Sequence, residues 1–239
     1  MAFVNKWQPG ISVIVSTKRP HFLEKMFHNY RRQIWAKKEL IVVVNKDSVD
    51  MSRYRQMARR LPHIRVFHLP ASRFTLGRCL NFATKRAVYP IIAKMDDDEY
   101  YAPLYLAGMI DEFRRSNADI VGKQAYYMYL RGSGILLRRF NKMNRFVRVV
   151  SGGTLTFKRT VWQKVKFRNV RISEDVIFCK DAHRAGFRIY SGNLFNFCAI
   201  RRKNPKSHTW QVNDWEFITE PHSKIIARTT DFRQFVIAR

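Results

Sequence analysis

Tyr89-Pro-Ile-Ile-Ala-Lys-Met-Asp-Asp-Asp-Glu-Tyr-Tyr101 sets an apolar run directly against four consecutive acids, Asp96 to Glu99. A run of like charge repels itself and ordinarily lies in water, on a mobile tail. Here it closes what reads as a buried strand. Open α/β sheets bind ligands outside the carboxyl ends of their strands, so the acids stand where a ligand is expected. Carboxylates packed at such an edge call for a hard cation that takes oxygen ligands, Mn²⁺ or Mg²⁺.

The surrounding pattern supports the strand. Upstream, Ile11-Ser-Val-Ile-Val-Ser16 is a β-branched run, and the loop Thr17-Lys-Arg-Pro20 leads into a predicted amphipathic helix over Pro20 to Trp35. A buried strand Leu40–Val44 ends in the turn cluster Asn45-Lys-Asp-Ser48, and a basic helix spans Met51 to Arg60. A third strand covers Ile64–Leu69, a helix Leu76–Val88, and after the acids a further helix Pro103–Arg115. Strands alternating with helices at this pace predict βαβ units, hence an α/β fold with a Rossmann-like, mostly parallel sheet flanked by helices.

After Asp119 the pattern changes. Ile120 to Val150 is aromatic, basic and glycine-punctuated without a clear period, which fits hairpins or a loop ordered on binding. Ser151-Gly-Gly-Thr-Leu-Thr-Phe157 returns to strand-like alternation, and Glu174 to Gly186 reads as a helix with glycine placed to end it. A strand is expected at Phe187–Tyr190 and a helix at Trp215–Ala227. With no repeat and no low-complexity linker, residues 1–239 read as a single domain. Residues 1–118 form its first half, and 119–239 a smaller mixed second half with the C-terminal region.

The chain of 239 residues is 46% hydrophobic and 14% aromatic, far from the composition of a disordered segment. No stretch approaches the roughly 20 apolar residues of a membrane span, and Met1 to Gly10 lacks the apolar core of a signal peptide. Cys79, Cys179 and Cys198 are widely spaced and read as reduced core residues of a cytoplasmic protein. The net charge is +27, and no acid occurs between Ile120 and Ser173. Such a field suits an anionic partner, including peripheral contact with an anionic membrane surface at the inner face. No helix-turn-helix, zinc or RNP-type pattern accompanies it, so no specific nucleic acid is expected.

Four segments in order, Ile11-Ser-Val-Ile-Val-Ser-Thr-Lys-Arg-Pro20, Leu76-Gly-Arg-Cys-Leu-Asn81, Ile92-Ala-Lys-Met-Asp-Asp-Asp-Glu-Tyr-Tyr101 and Ser173-Glu-Asp-Val-Ile-Phe178, together resemble the family 2 glycosyltransferases. These are inverting enzymes with a GT-A nucleotide-diphosphosugar fold. The resemblance spans roughly Ile11 to Gly186, with a fainter trace at Ser207-His-Thr-Trp210. It implies that Asp98 holds a divalent metal, with His208 as a further protein ligand. Asp96 would reach the ribose or, through water, the ion, and Asp97 would support the local geometry. Glu99 stands where many members carry aspartate. Asp175 corresponds to the family's base and Glu174 to its supporting neighbour, although two acids beginning a helix also simply complement its N-terminus. Thr17 and Arg19 fall in the segment that lies along the nucleotide. Asn45 takes the place of a base-binding aspartate, while Arg78 and Asn81 lie in the Leu-Gly-x-x-x-Asn segment, where Arg78 substitutes for an arginine usual two positions later or is merely exposed. Gly152-Gly153 resembles a close-approach turn beside the sugar.

The expected activity is metal-dependent, inverting transfer of a sugar from a nucleotide-diphosphate donor, UDP above others, to a hydroxyl. The acceptor would be a cell-surface glycan, an anionic polymer or a lipid-linked molecule, as in bacterial cell-surface and spore polysaccharide synthesis. A nucleotidyltransferase would place a glycine-rich basic loop after the first strand, which Ser16-Thr-Lys-Arg-Pro20 is not. A non-enzymatic polyanion- or nucleic-acid-binding protein is the alternative suggested by charge. Its binding would fall steeply with salt and ignore added metal.

Overall fold

The runs Ile11–Thr17 (β1) and Lys38–Val44 (β2) are rich in β-branched residues and buried at nearly every position on both faces, as expected for parallel strands covered by helices on each side. In the computed structural model, which describes residues 7–204 and 212–238, helix α1 (Leu23–Arg31) connects them. The chain continues through α2 (Ser52–Arg59), β3 (Ile64–His68), α3 (Leu76–Arg86), β4 (Ile91–Lys94), β5 (Tyr100–Tyr101) and α4 (Tyr105–Ser116). Then follow β6 (Ile120–Gly122), β7 (Tyr126–Leu130), β8 (Ile135–Arg139), β9 (Arg145–Val147), β10 (Thr156–Lys158), α5 (Arg159–Lys164) and α6 (Glu174–Arg184). The remaining elements are β11 (Ile189–Ser191), β12 (Phe197–Arg201), α7 (Asp214–Thr219), β13 (Ser223–Arg228) and α8 (Arg233–Val236).

The larger sheet runs β3-β2-β1-β4-β10-β6-β11-β9. Its first four strands are mutually parallel, and β10 inserts antiparallel between β4 and β6. The strand order reverses between β1 and β4, the switch point where a crevice opens in this kind of sheet. Alternate side chains feed two cores. Val13, Val15, Leu40 and Val42 pack with Phe27 and Ile110 on one face, and Ile14, Ile41, Val43 and Ile92 with Leu80 and Phe178 on the other. Burying each such side chain contributes about 1.5–3 kcal/mol. A second sheet, β13-β8-β7-β12-β5, stands beside the first. β4 belongs to one sheet and β5 to the other, so the four acids form the corner between them.

Two helix expectations change, and the 120–150 stretch takes the hairpin alternative. The helix expected from Pro20 to Trp35 opens with a 3₁₀ turn at Pro20–Phe22 and stops at Arg31, where the Ile34 N–H is drawn to the Pro103 carbonyl at 3.0 Å. The unperiodic 120–150 stretch is built from strands, including the β7–β8 hairpin. The helix expected over Trp215–Ala227 ends at Thr219. The Glu216 carboxylate accepts the Asn213 N–H at its start, Pro221 stops it, and Ser223–Arg228 pairs antiparallel with β8 instead. The three cysteines are buried and unpaired. Among the described residues no helix is long and apolar enough to cross a membrane.

Candidate active site

Strands β1 and β4 pair in parallel with Ile14 opposite Lys94, so the end of β1 runs on past β4, and this delivers Thr17 and Arg19 to the acidic corner. The Thr17 hydroxyl donates to the Asp97 carboxylate, and Arg19 pairs with both Asp97 and, at 2.7 Å, Asp98 Oδ2. The same Asp98 oxygen takes Arg202 at 2.7 Å. Lys25 donates to the Asp98 carbonyl, and Phe22 lies under the guanidiniums of Arg19 and Arg202 at 4.9 and 5.1 Å. Burial pushes the Asp97 carboxyl up. Burial acts in the same sense on Asp98, yet Arg19 and Arg202 outweigh it and hold that group below the ordinary range. Burial, aided by the charges of Asp98 and Asp96, raises Glu99, whose Oε2 accepts the Ile200 N–H at 2.5 Å.

Asp96 faces the opposite way. Its carboxylate takes the buried Lys94 ammonium at 2.7 Å, and its N–H donates to the Tyr101 hydroxyl at 2.8 Å. That hydroxyl donates in turn to the Gly153 carbonyl at 2.6 Å, while Lys94 reaches the Gly152 carbonyl at 3.2 Å. Residues 152–154 form a 3₁₀ turn braced from behind: the Ser151 N–H donates to the Lys123 carbonyl at 2.8 Å, and the Lys123 N–H to Thr154 Oγ1 at 2.9 Å.

Close approach requires glycine at 152 and favours it at 153. A Cβ on Gly152 would stand 1.7 Å from Asp175 Oδ2, and one on Gly153 3.1 Å from Asp96 Oδ2. The turn is thus packed against both acids, Asp175 at its first residue and Asp96 at its second. Lys94 passes alongside it, 3.9 Å from Glu174 Oε1. Burial acts to lower the Lys94 pKa, but Asp96, Glu174 and Asp175 together raise it, so the ammonium stays charged. Burial pushes Glu174 up to about 7. Asp175 is half-buried at the start of α6, with Oδ1 accepting the Val176 N–H at 2.8 Å. Beside Asp175 opens a groove of about 1180 Å³, bounded by Asp175, Ser173, Phe146, Arg145 and Arg148 among others.

The structure therefore gathers Thr17, Arg19, Asp96, Asp97, Asp98, Glu174 and Asp175 at one edge, and sets other expected contacts apart. Asn45 is adjacent, its N–H donating to the Thr17 carbonyl at 2.7 Å, but its side-chain NH₂ is spent on the Leu69 and Phe74 carbonyls. Arg78 is exposed, with its guanidinium over the Phe74 ring. Asn81 donates to the Phe167 carbonyl at 2.7 Å and accepts from the Trp162 indole and the Phe167 N–H. It ties α3 to the 162–167 segment rather than facing the cleft. Replacing Asn81 with alanine should cost about 1–3 kcal/mol by stranding these partners. Thermal unfolding should shift down by several degrees with nucleotide affinity unchanged. A variant of wild-type stability that loses nucleotide binding would return Asn81 to the ligand. His208 lies outside the described residues.

Lys94 and Tyr101 are additions that the sequence reading did not single out. A lysine inside a strand otherwise composed of apolar residues was the available sign for the first. Nothing in the sequence joins Tyr101 to Gly153.

The description Glycosyl transferase family 2 matches residues 12–203. Among solved structures the chain is similar to the mannosyltransferase PcManGT from Pyrobaculum calidifontis, in complex with GDP-Man and Mn²⁺. The TM-score is 0.63 at 17% identity, covering 82% of this chain and 57% of that one. It is similar also to S. aureus TarS 1-349 in complex with UDP-GlcNAc, with TM-score 0.64 and 18% identity, covering 81% and 59%. The chain thus spans less than two-thirds of the length of either structure, and the likeness is one of fold. No curated protein matches it.

Proposed function

This chain belongs to glycosyl transferase family 2, and from that premise we propose that it transfers a sugar, with inversion, from a nucleotide diphosphate, UDP above others, to a hydroxyl of a glycan, anionic polymer or lipid-linked acceptor. One observation carries the reading: the Gly152–Gly153 turn brings Asp175 and the strand-end Asp96 together, a Cβ on either glycine meeting one of them. A displacement reaction needs both at one site, because the leaving group and the attacking hydroxyl act on the same anomeric carbon from opposite sides. Residues 1–118 would serve the donor and residues 119–239 the acceptor.

Carboxylate oxygens are the donors a hard divalent cation takes. The arginines keep Asp98 ionised, the form a metal requires, while Asp96 would have to turn from Lys94 to join it, and among the described residues no third such side chain completes the set. Asp98, with Asp96, would hold Mn²⁺ or Mg²⁺, His208 being the further ligand the family resemblance supplies. When bound, the ion stabilises the charge that develops on the departing diphosphate. Arg19 and Arg202 present guanidinium donors suited to phosphate oxygens, Thr17 orders Arg19 by accepting its N–H at 3.1 Å, and Asp97 fixes both. Asp175 takes the proton of the acceptor hydroxyl as that oxygen bonds to the anomeric carbon and the bond to the β-phosphate oxygen breaks. Glu174 and Lys94 set the field around it. The two solved relatives bind GDP-Man and UDP-GlcNAc, which supports a nucleotide-sugar donor here.

A nucleotide that binds only the native state raises its melting temperature, by about 2.7 kcal/mol of stability at one hundred times Kd. Among UDP, GDP, CMP and dTDP, one nucleoside diphosphate is expected to shift the wild type in the presence of Mn²⁺ and to lose that shift in Asp98→Ala. A panel in which no nucleotide shifts the protein while polyanions do, with or without metal, would point instead to a binding protein.

A further inference from the structure

Three residues that line the groove beyond Asp175, Lys142, Arg145 and Arg148, are cationic, and Asp175 is the one acid among those that bound it. None of the three cations has an ion-pair partner among the described residues, so the protein itself does not neutralise the charge of this rim. Unpaired like charges held along one rim repel one another and raise the energy of the empty groove. A bound anion relieves that cost.

The rim is built, not loose. The Lys142 N–H donates to the Gln124 side-chain oxygen at 3.1 Å, and its carbonyl accepts the Ser191 hydroxyl at 2.7 Å. β9 carries Arg145 and is pinned by antiparallel pairing to β11. Between Arg145 and Arg148 lie Phe146 and Val147. The Phe146 ring, 48% exposed, stands edge-on to Tyr190 at 5.3 Å with Arg188 over it at 4.4 Å. An exposed aromatic between guanidiniums suits the C–H face of a sugar with anionic groups to either side. The volume, about 1180 Å³, exceeds the roughly 300–1,000 Å³ that encloses one small ligand, so it accommodates several residues of a chain.

Resting on the proposed transfer reaction, we infer that the acceptor is an anionic glycan. Its phosphate or carboxylate groups engage Arg145, Arg148 and Lys142 while one of its hydroxyls meets Asp175. Asp98 pairs with Arg19 and Arg202 and with none of these three cations, so they select the acceptor without touching the donor acids.

The test measures binding of four probes at fixed moderate salt: dextran (neutral), dextran phosphate, polygalacturonate, and a single-stranded DNA 12-mer. Wild-type protein should bind one or both anionic glycans and not dextran. Arg145→Glu combined with Arg148→Glu should weaken that binding on the order of tenfold or more, leaving the nucleotide-induced rise in melting temperature intact. The milder pair Arg145→Gln and Arg148→Gln serves if charge reversal disturbs folding. Preference for dextran phosphate or for polygalacturonate identifies the anionic group. Equal binding of dextran, failure to bind either anionic glycan, unchanged affinity in both variants, or tighter binding of the DNA through the same residues overturns the inference. The absence of any nucleotide-induced shift in the wild type would remove the transferase reading separately, whatever the groove binds.

Discussion

Asp175→Asn should lower the transfer rate by about 10²–10⁴-fold and leave nucleotide binding in place. The amide matches the carboxylate in size, and its oxygen can still accept the Val176 N–H that holds the side chain. What it lacks is the capacity to take a proton. The donor-side acids keep their own partners, since Arg19, Arg202 and Thr17 engage Asp97 and Asp98. The loss should therefore fall on kcat, with the nucleotide-dependent melting shift unchanged. A variant that keeps its rate would place the base elsewhere, and one that loses nucleotide binding would make Asp175 part of the donor site.

Gly152→Ala should reach a comparable loss by a different route. The added Cβ would stand 1.7 Å from Asp175 Oδ2 and 2.6 Å from Cγ, so the carboxylate must swing aside while the backbone of the turn stays put. Displacing a reacting group by about 1 Å costs on the order of 10²-fold. Gly153→Ala, whose Cβ meets Asp96 at 3.1 Å, should be milder. Because Gly152→Ala acts through Asp175, combining it with Asp175→Asn should lower the rate little further than Asp175→Asn alone. Effects that multiply instead would show that the glycine does separate work, such as keeping its carbonyl on Lys94. Steady-state rates of the three variants decide between the two.

The first half of the molecule was legible because its strands are short apolar runs closed by turn chemistry, and each pairs in parallel with a neighbour of the same kind. Local pattern and global fold agree there. The second half was harder for physical reasons. Phe197–Arg201 is buried along its whole length, so it shows no alternation, and it pairs with β7, roughly seventy residues earlier. Ser223–Arg228 was mistaken for helix because its strand character comes from β8 and not from its own residues. In the site, the acidic run and the Glu174-Asp175 pair could be found as motifs. Lys94 could not be given a role, since its partners Asp96, Gly152 and Glu174 are assembled only by the fold. Asn81 shows the converse: a residue within a recognisable segment whose side chain is consumed by holding a loop.

The acids occupy the corner where the chain leaves one sheet and enters the other, and each layer has a grip on it. Lys94, the last residue of β4, holds Asp96. Tyr101, in β5, holds the Asp96 N–H, and the backbone of β12 holds Glu99. The acid run is thus a shared hinge pin of static contacts: substituting Asp96 frees Lys94 of the first sheet, and substituting Glu99 frees the Ile200 N–H of the second.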